Sequence, residues 1–171
     1  MKWFASSLSL VVLASATCYT TFATDAGSAG EYARHFAPLG QLSVAVADAM
    51  PAEKYDFKPH PESMTFGQLM EHIATINYQF CAGLKDSKVP QLPAPQDKQG
   101  ITKFLSESFQ YCSRVIDNLS AEQLAAAHDS PDGRMPGREV LLAMYIHVAH
   151  HRGQAEIYLR DVGIRPPRYR I

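Results

Sequence analysis

At 171 residues the chain has the length of one domain with room for an appendage. Hydrophobic residues make up 46% and charged residues 19%, enough apolar matter for a core and too much for a disordered or fibrous chain. Sixteen Lys+Arg against seventeen Asp+Glu leave a net charge of −1, so no strong field of either sign is available to grip nucleic acid or an anionic membrane, and neither is an expected partner.

The chain opens with Lys2, an apolar run from Trp3 to Ala14 and then small residues. A basic start, a short greasy stretch and a small-residue zone are the parts of a secretory signal, read here over residues 1–23 with the cut between 16 and 26. Ala14-Ser15-Ala16 fits the small-x-small rule, and Thr21-Phe22-Ala23 is a second candidate. The run is shorter than the ~20 residues that span a bilayer. Cys18 lacks a good lipobox before it. The expectation is an exported protein, periplasmic or secreted, with no stable membrane span once the signal is removed.

Four helical stretches follow, assigned to a bundle over residues 28–167 with a tail at 168–171. From Glu31 to Met50, Tyr32, Phe36, Leu39, Leu42, Val46 and Met50 recur at helical period, and Pro38 should kink this helix or mark its true start. Glu53 to Pro61 reads as a proline-punctuated connection. Thr65 with Gln68 is a capping box opening a helix to about Leu84, with Phe66, Leu69, Ile73, Ile76 and Phe80 as its stripe. Lys85 to Gly100 is a proline-rich loop. A third helix turns Ile101, Phe104, Leu105, Ser108, Cys112, Val115, Ile116 and Leu119 inward. Ser120 with Gln123 caps a short turn over Ala121 to Ala127, and Ser130-Pro131-Asp132-Gly133 breaks the chain. The last helix runs from about Gly137 to Val162, where Gly163 stops it.

No alternating strand pattern appears, so the expected class is all-α, a four-helix bundle. The connection between the second and third helices, about sixteen residues, can extend roughly 50 Å. A twenty-residue helix is only about 30 Å long. That loop can cross the whole bundle and leave the two helices parallel.

The histidines carry the candidate chemistry. On the last helix Val140, Met144, Val148, Ala155, Tyr158 and Val162 define an apolar face, and His147 and His151 fall on it one turn apart. Two imidazoles at i and i+4 can reach one metal at about 2.0–2.1 Å. Val148 follows His147, so this is not the His-Glu-x-x-His motif of the zincins. His72 faces inward beside Leu69, Ile73 and Ile76 and would complete a set of three nitrogens with a coordination position left open. Periodicity alone leaves two readings: a ligand set, or core histidines bonded to carbonyls. His150 lies nearer the flank, and Gln154 sits one turn beyond His151, where each could touch a bound water or substrate. Arg152 is expected to point outward into a surface ion pair. His35, His60 and His128 have no ligand spacing.

The run His147-Val148-Ala149-His150-His151-Arg152-Gly153-Gln154, with Tyr158-Leu159-Arg160, Gly163 and Pro166-Pro167 after it, resembles the closing helix of the DinB-like (YfiT-like) family. Met50 to Pro59 and His72-Ile73-Ala74 resemble the same family, and the likeness covers about Glu31 to Pro167. It implies a four-helix bundle of up-down-down-up topology. It also implies one divalent metal on a helix-two histidine and an i,i+4 pair from helix four, here His72, His147 and His151. Zinc and nickel suit imidazole ligands. The reactions implied are those of a metal-dependent hydrolase or a thiol-dependent transferase with a small-molecule substrate. Export departs from the cytosolic setting of the thiol transferases. The alternatives are a non-catalytic metal-binding or stress-response module and a purely structural bundle. A homodimer is compatible with all three.

Three cysteines are too few for a disulfide scaffold or a four-cysteine zinc site. In an exported chain cut after Cys18, Cys81 and Cys112 are left as a pair, and parallel second and third helices would let them bond. The other reading is two small buried thiols.

Overall fold

The computed structural model describes residues 29–169; the expected signal segment and Arg170 and Ile171 of the tail lie outside them. The long helices are α1 (Ala29–Ala49), α2 (Phe66–Leu84), α3 (Lys98–Ile116) and α5 (Gly137–Asp161), with the short α4 (Ala121–Ala125) between the last two. Pro38 does not start α1, which runs through it. The proline-punctuated connection after α1 holds a single 3₁₀ turn at Ala52–Lys54. Both capping boxes close: Thr65 accepts from the Gln68 amide and Ser120 from that of Gln123, and each glutamine side chain accepts in return from its cap residue's own amide. Gly163, at φ 80°, ends the last helix in the left-handed conformation that glycine adopts without strain.

One small feature departs from the all-helix expectation. Residues β1 (Ala127–His128) and β2 (Met135–Pro136) pair antiparallel around the Ser130–Gly133 turn. Two residues a side are too few for an alternating pattern to show in the sequence.

The expected inward faces form one core. Phe36, Phe66, Leu69, Ile73, Phe80, Leu105, Ile116, Val140, Leu141, Met144 and Val148 are all buried in it. Helix directions follow from which residues meet. Asn77 bonds Ser108 and Cys81 bonds Cys112, so later residues of α2 meet later residues of α3 and the two run parallel. Phe36 near the start of α1 packs on Phe109 late in α3, while Lys98 at the start of α3 reaches the carbonyl of Asp48, so α1 and α3 are antiparallel. His72 meets His151 and Cys81 touches Met144, so α5 runs against α2. This places one face of α5 against the middle of α2, where the histidines lie.

The Cys81–Cys112 bond has S–S 2.04 Å and Cα–Cα 5.5 Å. With no thiol hydrogen left, the approaches of Cys81 Sγ to Met144 Sδ at 3.6 Å and of Cys112 Sγ to the Asn77 carbonyl at 3.1 Å are packing contacts rather than hydrogen bonds.

Candidate metal centre

The spacing that put His147 and His151 on one face of α5 brings both rings against His72 of α2. Ring centroids are 4.9 Å apart for His72 and His147, 4.7 Å for His72 and His151, and 4.5 Å for His147 and His151. The planes are tilted by 56°, 90° and 69°, so the rings meet at their edges instead of stacking. One nitrogen from each lies within 4.8 Å of the other two, and Nε2 of His72 is 3.0 Å from Nε2 of His147. Among the described residues no fourth His, Cys, Asp or Glu joins the group.

The environment favours neutral imidazole on all three residues. Burial pushes His147 down to about 4, with His151, His72 and His150 adding repulsion against a second charge. Burial lowers His72, and His151 lowers it further. Burial also lowers His151, against a partial rise from its bond to Gln154. Neutral imidazole is the form that offers a lone pair to a cation.

Gln154 selects the tautomer of His151. Its Oε1 lies 2.7 Å from His151 Nδ1, and its Nε2 lies 3.1 Å from His150 Nε2. An amide oxygen only accepts, so His151 must donate from Nδ1, and its Nε2 lone pair is left free. Gln154 Nε2 then donates to His150. This is the arrangement in which an outer partner orients a ligating histidine. His150 is exposed and lies beside His151, outside the three-nitrogen group.

The three residues fit a divalent cation. Two nitrogens each about 2.0–2.1 Å from one tetrahedral ion stand roughly 3.3–3.4 Å apart, close to the observed 3.0 Å. Nδ1 of His147 is buried with no partner, so the ring's only polar anchor is on the Nε2 side, facing His72. A set of imidazole nitrogens suits zinc, copper, iron or nickel better than the oxygen-seeking magnesium or calcium.

Arg152 requires a correction. Its place on the helix predicted an outward side chain, yet it is only 8% exposed. The chain beyond α5 folds back so that the Tyr169 ring covers the guanidinium at 5.1 Å, and Glu156 pairs with it as a surface partner would have. His128 is buried too, bonded to the Gln123 carbonyl at 2.8 Å and beside Asp86 at 3.1 Å. Nothing in its spacing signals this, because its neighbours come from the short helix α4 and from the turn after α2. His35 and His60 are exposed.

The sequence profile of the DinB superfamily matches residues 23–155, a span that contains all three histidines and Gln154. The chain belongs to the DinB superfamily. YjoA of Bacillus subtilis (strain 168), a protein described as uncharacterized, is 27% identical over 137 residues, covering 75% of this chain and 87% of that one. The crystal structure of that DinB-like protein superposes with a TM-score of 0.72 at 22% identity, covering 82% of this chain and 98% of that one. A DinB-like protein from Bacillus cereus gives 0.72 at 18% identity, with 82% and 97% covered. At such identities the structural likeness establishes the shared all-α fold of the superfamily. No helix among the described residues is long and apolar enough to cross a membrane.

Proposed function

We propose that His72, His147 and His151 hold one divalent metal ion, zinc or nickel, and that the protein is an exported metal-dependent hydrolase or group transferase acting on a small molecule. The observation that carries this reading is the convergence of three ring nitrogens, within 4.8 Å of one another, from rings whose surroundings keep them neutral. His72 and His147 are half-buried with their Nε2 atoms 3.0 Å apart, and Nδ1 of His147 is buried without a partner, an arrangement that a shared cation would stabilise.

A bound divalent metal would polarise a substrate oxygen or bring the pKa of a bound water towards ~7. The chain's own residues do the rest. Gln154 fixes the proton of His151 on Nδ1, and the apolar packing of Phe80 against His147 limits that ring's rotation. A non-catalytic, closed site would need a fourth protein donor, and among the described residues no further His, Cys, Asp or Glu joins the set. Export rests on the signal-like start of the chain and is supported by the Cys81–Cys112 bond, because disulfides persist in oxidising compartments. Such a compartment favours hydrolysis over transfer from a cytosolic thiol.

The test is metal analysis of protein purified from the exported compartment, beside a hydrolase screen with and without chelator. One equivalent of metal per chain is expected, falling to a small residue in His147→Ala. Full retention of metal by that variant would overturn the assignment. Activity indifferent to chelation and to substitution of all three histidines would overturn the mechanism while leaving the metal site standing.

A further inference from the structure

Among the described residues six large apolar side chains are exposed, and three of them, Leu142 at 56%, Ile146 at 60% and Ile157 at 52%, belong to α5. At 100° per residue these three share one stripe with Ala149 and Gly153, on the side of the helix away from the core. Gly153 has no reason within the protomer: a Cβ added there would meet nothing within 4 Å. A glycine in a helix interior costs about 1 kcal/mol relative to alanine. The stripe is flanked at both ends by charges. Arg138 and Glu139 lie in the first turn and Arg160 and Asp161 in the last, and all four are exposed.

We infer that this face of α5 binds the same face of a second copy of the chain, antiparallel, about a two-fold axis passing between Ala149 and His150. That axis sets each residue opposite the one equally far on its other side. Leu142 then meets Ile157 of the partner subunit, and Ile146 meets Gly153 of the partner subunit, whose missing side chain leaves room for the isoleucine. Ala149 and His150 cross at the centre, where a small residue lets the helices approach closely. At the ends Arg138 faces Asp161 of the partner subunit, and Glu139 faces Arg160 of the partner subunit.

The charges argue for a second copy over any other occupant. Within the protomer Arg138, Glu139 and Asp161 form no ion pair with a described residue, while Arg160 donates to the Glu156 carbonyl at 3.0 Å and lies 3.9 Å from its carboxylate. A single face that is apolar in the middle, with a gap opposite its largest exposed residue and opposite charges at matched distances, is self-complementary in the sense an isologous interface requires. Roughly 35 Å of helix separates Arg138 from Asp161, so they cannot pair within one chain.

The experiment is sedimentation equilibrium of the full chain, with and without metal, up to hundreds of micromolar. About twice the chain mass is expected in both conditions. Ile146→Glu, at an exposed position that leaves the helical circular dichroism intact, should give a monomer. Arg138→Glu and Asp161→Arg should each weaken the dimer about tenfold or more, and the double variant should restore it, because each repulsive contact becomes attractive again. A monomer at every concentration would overturn the inference and leave the face to residues 1–28 of the same chain or to a different protein. A dimer that the double variant fails to restore would overturn the antiparallel register.

Discussion

Gln154 spans two histidines with the two halves of one amide, accepting from His151 and donating to His150. Gln154→Ala removes the acceptor and lets the His151 ring turn or change tautomer. Metal affinity should fall about 10–100-fold, read by competition with a chromogenic chelator, while thermal stability barely moves because the side chain is exposed. Gln154→Glu keeps an acceptor in place and should retain most of the affinity. Unchanged affinity in the alanine variant would remove Gln154 from this role. The histidines also make a pH prediction for the metal-free protein. Unfolded histidine titrates near 6.5, whereas folded His147 is pushed down to about 4 and His72 and His151 are also lowered. Above the unfolded value both states are neutral and the full stability is present. As pH falls below it, the unfolded chain takes up protons that the fold refuses, so stability drops down to about pH 4 and levels off once folded His147 protonates too. Urea titrations across that window should show the fall, and His147→Ala should flatten it. At this scale the sequence was informative about the convergence of the histidines, because an i,i+4 pair inside an apolar stripe fixes the direction of His147 and His151. It misread Arg152, because helical angle says nothing about a tail that returns to cover a side chain.

The elements depend on glycines whose roles are hidden until the chain is folded. Gly137 begins α5 with its amide donating to the Ala126 carbonyl at 2.9 Å, and a Cβ there would stand 2.4 Å from the carbonyl oxygen of Gln123. Gly83 on α2 is tighter still, with 1.9 Å to the carbonyl oxygen of Asp129. Both obstacles are backbone and cannot rotate away, so the segment that carries α4 and the two short strands is held against α2 and α5 at these two points. Gly137→Ala should destabilise by about 1–3 kcal/mol as overpacking does, read from chemical denaturation; a neutral result would show that the segment can lift off. In the sequence Gly137 is only the approximate start of the last helix. The capping boxes, by contrast, were legible, since Thr65/Gln68 and Ser120/Gln123 need only a spacing of three and no distant partner. The antiparallel pair at Ala127–His128 and Met135–Pro136 was not, because its register is set by the turn it closes.

For the whole molecule, the length of one connection constrained the arrangement of helices. The proline-rich segment between Leu84 and Lys98 is long enough to return to the other end of the bundle, and α2 and α3 do run parallel, as the Asn77–Ser108 and Cys81–Cys112 pairs require. Antiparallel helices joined by a short turn would have carried these two cysteines to different heights. The bond closes a loop across a sequence separation of 31. On the chain-entropy account that is worth about 3–4 kcal/mol. Replacing both cysteines with alanine should therefore lower the unfolding free energy by at least that much, since two small buried side chains are trimmed as well. A difference within error would place the disulfide outside the folding energetics. The sequence named both partners, as the pair left after the expected cut and set on parallel helices, but position alone did not decide between a bond and two buried thiols, because a cysteine on an inward stripe packs equally well either way.

Both sulfurs are sealed from solvent, with Cys81 and Cys112 at 0% exposure. A small thiol reductant reaches the bond only when the helices part, so the oxidation state acquired during folding outlasts any later change of surroundings. Each molecule therefore carries a record of where it was folded, and the record survives purification. Chains denatured without reductant in the presence of an alkylating label should take up none at positions 81 and 112 if they matured in an oxidising compartment. They should take up two if they folded among reduced glutathione.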